Sequence, residues 1–86
     1  MVRLALPVPN PGPKVISFYI EGVADQVRVD FYTYGQTKVA EVVRATVGGW
    51  ASVAMPELGH GGFLAKVSAY QNGVQTSYKI TYLYCL

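Results

Sequence analysis

Apolar and polar residues alternate along most of this chain with a period of two, and glycine and proline interrupt the alternation at regular distances. Residues 14–20 set Ile16, Phe18 and Ile20 on one face against Val15, Ser17 and Tyr19, the pattern of a half-buried strand. A turn at 21–25 contains Gly22. Residues 26–34 alternate again, with Val27, Val29 and Phe31 expected in the core and Arg28, Asp30, Tyr32 and Tyr34 on an outer face. Gly35-Gln36 is read as a hairpin link into residues 37–46. The β-branched content of that segment favours a strand over the helical turn that Val39, Val42 and Val43 would also suit. After Gly48-Gly49, residues 50–55 form the next strand. Trp50 shares a face with Ser52 and Ala54 while Val53 and Met55 take the other, a conflict that a bulge would resolve.

Residues 56–62 hold three glycines and form a loop. In the strand at 63–70, Phe63, Ala65, Val67 and Ala69 oppose Leu64, Lys66, Ser68 and Tyr70. Asn72-Gly73 is the strongest hairpin signal of the chain, because both residues tolerate the left-handed backbone of a two-residue turn. The last strand, 74–84, sets Thr76, Tyr78, Ile80, Tyr82 and Tyr84 against Ser77, Lys79, Thr81 and Leu83. An apolar end such as Leu83, Tyr84, Cys85 and Leu86 is usually buried, which implies a central last strand or one packed on a neighbour.

Residues 1–13 read as an extended arm preceding a domain at 14–86. Pro7, Pro9, Pro11 and Pro13 fall on alternate positions, so their missing donors lie along one edge, and the other edge keeps those of Val8, Asn10, Gly12 and Lys14. Such an arm can pair along one edge only; it either adds a strand to a sheet, here or on a neighbour, or runs as a polyproline leader.

Six strands, seven if the arm pairs, with no helical periodicity and glycine turns between them, predict an all-β antiparallel β-sandwich. Eighty-six residues suffice for one domain. A single cysteine, Cys85, forms no bridge within the chain, so packing must hold the fold, and a 51% hydrophobic composition permits it. No run approaches the length of a membrane helix, and no targeting segment is expected within residues 1–14, where prolines interrupt the short apolar stretch before a signal-peptide core could form. The net charge is +2, and the seven basic residues are spread over the strands without forming a stripe; the expected partners therefore exclude nucleic acid and membrane.

At Gly49-Trp50 the layout becomes familiar. Pro13, Val27-x-Val29, Tyr32, Gly35, Gly49-Trp50, Leu58 to Gly61, Phe63, Val67, Ala69, Gly73 and Ser77 follow an order that resembles bacterial and phage immunoglobulin-like, fibronectin-type-III-like modules. The resemblance spans about residues 13–82 and implies an immunoglobulin-like sandwich with Trp50, Phe63 and Val67 in the core. It is a likeness of layout and brings no active-site signature.

Chemistry is sparse. His60 stands among glycines with Glu57 nearby, too few groups for a nucleophile, base and orienting residue or for a metal, so neither enzyme activity nor a cofactor is expected. Asp25, Asp30, Glu41 and Glu57 lie on different elements and form no calcium loop. Cys85 is read as a buried apolar residue or as a thiol that pairs with another chain. The seven tyrosines are more suggestive: strand parity points Tyr19, Tyr32, Tyr34 and Tyr70 outward, and exposed tyrosines suit an interface. With Pro7, Pro9, Pro11 and Leu86 they are the candidate contact residues. The expectation is a non-enzymatic structural or interaction protein, an accessory decoration or tail-type component of an assembly such as a phage virion. Its partners would be capsid or tail proteins or copies of itself. The alternative is a carbohydrate- or cell-surface-binding module of a secreted protein, with glycan stacked on tyrosine.

Overall fold

The computed structural model describes Arg3–Leu4, Val8–Pro9 and residues 15–85, with side chains from Val15 to Tyr84. The chain folds as an antiparallel β-sandwich. Its elements are β1 (Arg3–Leu4), β2 (Val8–Pro9), β3 (Val15–Glu21), β4 (Gln26–Thr33), β5 (Lys38–Ala45), β6 (Gly49–Ala54), β7 (Gly61–Gln71) and β8 (Val74–Cys85). All six strands expected from the alternation are present, each within two residues of its expected ends.

The first sheet is built on β3. β6 covers one of its edges from Val15↔Ala54 to Ile20↔Gly49. A strand has two edges, so β1 (Arg3↔Glu21, Leu4↔Ile20) and β2 (Val8↔Ser17, Pro9↔Ile16) share the other. The described pieces of the arm thus add to this chain's own sheet. Pro9 has no N–H to donate, and an edge is where a sheet tolerates that loss. Pro7 and Pro11 lie outside the described residues. The second sheet runs β5-β4-β7-β8.

Between the sheets lies the core: Ile16, Phe18, Ile20 and Val53 from the first, and Val27, Val29, Phe31, Phe63, Ala65, Val67, Ala69 and Leu83 from the second. Trp50 is not among them. It stands 72% exposed on the outer face of β6, edge to face with Tyr19 at 5.4 Å. The register between β3 and β6 runs without a bulge, so the parity conflict is resolved by Val53 turning inward and Trp50 outward.

Turn chemistry fixes the hairpins. Asn72 and Gly73 have φ of 53° and 80°, the two left-handed residues that a tight hairpin matching strand twist requires. In the β4–β5 link the left-handed position falls on Gln36 (φ 69°) and not on Gly35. Thr33 and Thr37 clamp that turn, with Thr33 N–H donating to the Thr37 carbonyl and Gln36 N–H to the Thr33 carbonyl, both at 2.9 Å. At the other end of the sheet Asp25 gathers three segments. Its N–H donates to the Tyr70 carbonyl, its carbonyl accepts from Thr46 N–H, and its Oδ2 accepts from Asn72 N–H at 2.9 Å.

Candidate interaction surface

Among the described residues, the outer face of the second sheet carries half of the exposed large apolar side chains: Tyr34, Val43, Tyr78, Ile80, Tyr82 and Tyr84. Cross-strand register arranges them in rows from β5 to β8: Lys38, Tyr32, Leu64, Tyr82; then Glu41, Asp30, Lys66, Ile80; then Val43, Arg28, Ser68, Tyr78. Tyr82 and Tyr84 are more than two-thirds exposed, and Tyr34, Tyr78 and Ile80 about half. Tyr34 lies edge to face on Tyr82, their centroids 6.0 Å apart. Its ring occupies the notch left by Gly62, where an added Cβ would come within 2.5 Å of it. Lys66 Nζ sits 4.8 Å from the Tyr78 ring centre, a cation over an aromatic face. A groove of about 300 Å³ runs through this surface, lined by Tyr32, Gln36, Leu64, Lys66 and Ile80.

One bulge puts these rings outside. From the hairpin turn outward, Gln71 opposes Val74 and Tyr70 opposes Gln75, but the next pair is Ala69 with Ser77. Thr76 is the extra residue, and its hydroxyl donates to the Ala69 carbonyl at 3.2 Å. A shift of one residue inverts every later side chain. Beyond it Leu83 faces the core opposite Phe63, and Tyr78, Ile80, Tyr82 and Tyr84 face out.

A four-charge cluster crosses β4 and β5. Asp30, mostly buried although on the outer face, accepts from Arg28 Nε at 3.0 Å and pairs with Lys38 Nζ at 3.1 Å. Glu41, directly opposite Asp30, takes Lys38 at 2.6 Å and also pairs with Arg28. Sequence reading kept Asp30 and Glu41 apart; only the hairpin register brings them together. Burial pushes the Asp30 carboxyl up, but hydrogen bonds from Lys38 and Arg28 outweigh it and hold the group below the usual carboxylate range. Lys38 is raised, first by its bond to Glu41 and then by Asp30, and Arg28 is raised by Asp30.

These shifts give stability a definite pH profile. Asp30 is more acidic folded than unfolded, so its contribution is present above about pH 4 and is lost as pH falls through the folded value. Lys38 is less acidic folded than unfolded, so its contribution holds below about pH 10 and fades as pH rises through the folded value. Thermal midpoints should be level between about pH 5 and 9 and fall on both sides. Asp30→Asn should lose about 1–2 kcal/mol at neutral pH and flatten the acid limb. An acid limb as steep as that of the wild type would remove Asp30 as its source.

Of the residues singled out from the sequence, Tyr32, Tyr34 and Tyr70 share this face, half-buried or exposed. Tyr19 stands on the opposite side of the sandwich with Trp50, beside Ser17 and Ser52, whose hydroxyls meet at 3.0 Å. Pro9 lies at the edge of the first sheet; Leu86 is outside the described residues, as is the side chain of Cys85. Sequence reading missed Tyr78, Tyr82 and Tyr84 as outward groups, because the tight turn alone implies the opposite parity. His60 is exposed in the loop before β7. Among the described residues no three of His, Cys, Asp and Glu come together as metal ligands, and no helix is long and apolar enough to cross a membrane. No protein-family model, curated protein or solved structure matches this chain.

Proposed function

We propose that the protein is a non-enzymatic structural component of a larger assembly, such as a phage virion, and that it contacts neighbouring proteins through the outer face of β4, β7 and β8. The observation that carries the reading is the exposed surface of Tyr34, Tyr78, Tyr82 and Tyr84 with the aliphatic Ile80 among them. Taking roughly 150–250 Å² per tyrosine, the four rings leave about 400–600 Å² in water, at the upper limit of what a free monomer shows. Strand order supports an immunoglobulin-like module. Lettered A (arm), B, C, C′, E, F and G in chain order, the sheets read A-B-E and C′-C-F-G, the immunoglobulin arrangement without strand D.

The test is made in the producing cell. Tagged full-length protein should sediment with large particles. A Tyr82→Lys, Tyr84→Lys variant with an unchanged circular-dichroism spectrum should be at least about tenfold depleted from that fraction, the loss of two interface aromatics. Wild-type protein found only as a small species would overturn the reading. The groove beside Tyr32 and Gln36 favours one alternative, glycan binding, in which Tyr32 stacks on a sugar ring and Gln36 and Lys66 donate to its hydroxyls. Glycan-array binding abolished by Tyr32→Ala would establish that alternative instead.

A further inference from the structure

We propose that the corner between β5 and β6 is a binding site for an organic monocarboxylate with a flat apolar body, its carboxylate held by the Arg44 guanidinium and its body covering Trp50. Sheet order puts this corner at the opposite end of the second sheet from Tyr78, Tyr82 and Tyr84, so the site is independent of what the tyrosine face contacts.

Among the described residues β5 and β6 each end a sheet, one in either layer, and residues 46–48 cross between them. β5 turns Ala40, Val42 and Arg44 to the core side, opposite Phe31, Val29 and Val27. Ala40 and Val42 pack against the core, whereas Arg44, the last of the three, is exposed. A cavity of about 420 Å³ opens beside it, within the ~300–1,000 Å³ of small-molecule pockets. Val27 and Ala51 give the cavity an apolar floor, and Arg44, Thr46, Gly48, Trp50 and Ser52 form its rim.

An inward charge on an edge strand hinders further pairing, and Arg44 has that effect on β5. Any cation would do as much; the surroundings of this one are those of an anion site. Among the described residues its one hydrogen bond runs from Nη1 to the Val43 carbonyl at 3.0 Å, and no carboxylate pairs with it, whereas Arg28 and Lys38 are both ion-paired. The Thr46 hydroxyl accepts from Gly48 N–H at 3.2 Å and keeps its own proton to donate. The Trp50 indole N–H donates and cannot accept. Ser52 has its hydroxyl bonded to that of Ser17. The rim therefore offers donors around a single positive charge, which suits one carboxylate better than a phosphate dianion. A guanidinium takes a carboxylate through two parallel N–H groups. The exposed indole, with valine and alanine below, suits a flat apolar body. The rim is already in place: Thr46 N–H is tied to the Asp25 carbonyl and Gly48 stands against the Gly22 carbonyl, so little ordering is lost on binding.

Two sources carry such a group, a free small acid and the C-terminal carboxylate of a polypeptide ending in an aromatic residue, and the probes distinguish them. The purified full chain is titrated with hydrocinnamate and with acetyl-Gly-Gly-Phe, each beside its primary amide. Trp50, the single tryptophan, stands largely in water, so a body covering it should move its emission to shorter wavelength. Saturable binding in the millimolar range is expected. It should be at least about tenfold weaker for the amides and for Arg44→Gln. Arg44→Lys keeps the charge and loses the two-pronged geometry, and should weaken binding at least about threefold. Both variants alter an exposed side chain, and an unchanged urea midpoint shows that they fold. Amide resonances of Thr46, Gly48 and Ala51 should shift on titration while those of Tyr82 and Tyr84 stay in place. Tighter binding of the tripeptide assigns the site to a chain end, and tighter binding of hydrocinnamate assigns it to a free acid. The proposal is overturned by the absence of saturable binding of either acid, by an amide that binds as well as its acid, by Arg44→Lys binding like the wild type, or by shifts centred on the tyrosine face.

Discussion

Phe31→Ala leaves most of the protein unfolded at physiological temperature. Phe31 is fully buried in the middle of β4, between Ala40 of β5 and Ala65 of β7 in the register, and belongs to the cluster that joins the sheets. Both cross-strand neighbours are alanines, so neither can swing into the void. Deleting a buried phenyl ring costs about 3–5 kcal/mol, part of it for the cavity left behind. Against that stands a total of roughly 4–13 kcal/mol for a chain of this length, and small domains sit toward the lower end. Phe31→Leu, which keeps most of the volume, should cost about 1–1.5 kcal/mol. Urea unfolding followed by far-ultraviolet circular dichroism at fixed protein concentration measures both. Trp50 is a poor reporter, since it is already largely in water in the folded state. An alanine variant within about 1 kcal/mol of the wild type would mean that the two sheets do not meet at Phe31.

The strands themselves were legible in the sequence because the alternation is local. Val27, Val29 and Phe31 cannot share a face with Arg28 and Asp30 in any extended chain, and the core follows from that. Asn72-Gly73 was legible for a similar reason, its backbone preference being a property of two residues. What escaped depends on relations between strands. Trp50 was expected inside because the resemblance to immunoglobulin-like modules implies it; on an edge strand with Val53 already turned inward, only the outer face remained for it. The ion cluster needs the β4–β5 register, which sets Asp30 against Glu41, together with the shift at Phe31/Tyr32 that brings Lys38 opposite Tyr32. The tyrosine stripe needs the bulge at Thr76. Counted from the turn without it, Tyr78 and Ile80 would fall on the core side, and the apolar end of the chain would look like ordinary core. The half of the exposed outer face on β4 and β7 was therefore visible in advance, and the half on β8 was not.

Gly48→Ala should cost about 2–4 kcal/mol, the second largest effect expected, although it adds one methyl group at a surface corner. The chain crosses there from β5 in one sheet to β6 in the other, and the crossing is docked on the turn between β3 and β4. Thr46 N–H donates to the Asp25 carbonyl, and Thr46 Oγ1 accepts from Gly48 N–H. Gly48 holds φ at 90°, and a Cβ built on it would stand 2.6 Å from the Gly22 carbonyl oxygen. That obstacle is backbone, and Gly22 is itself held at φ 91°, so neither side yields cheaply. The neighbouring glycine separates the two causes. Gly49 also has a positive φ, 75°, but nothing lies within 4 Å of where its Cβ would be. Gly49→Ala should therefore lose only the left-handed backbone term, about 1–2 kcal/mol. The difference between the two variants, measured by urea unfolding, is the cost of forcing the crossover away from the β3–β4 turn. Equal losses would show that the turn moves freely and that the corner is not a fixed point of the sandwich. If the corner is fixed, the damage should fall on the first sheet, where, among the described residues, β6 is the only long partner of β3. The aromatic face of the second sheet, carried by β4, β7 and β8, should keep its arrangement in the fraction that remains folded.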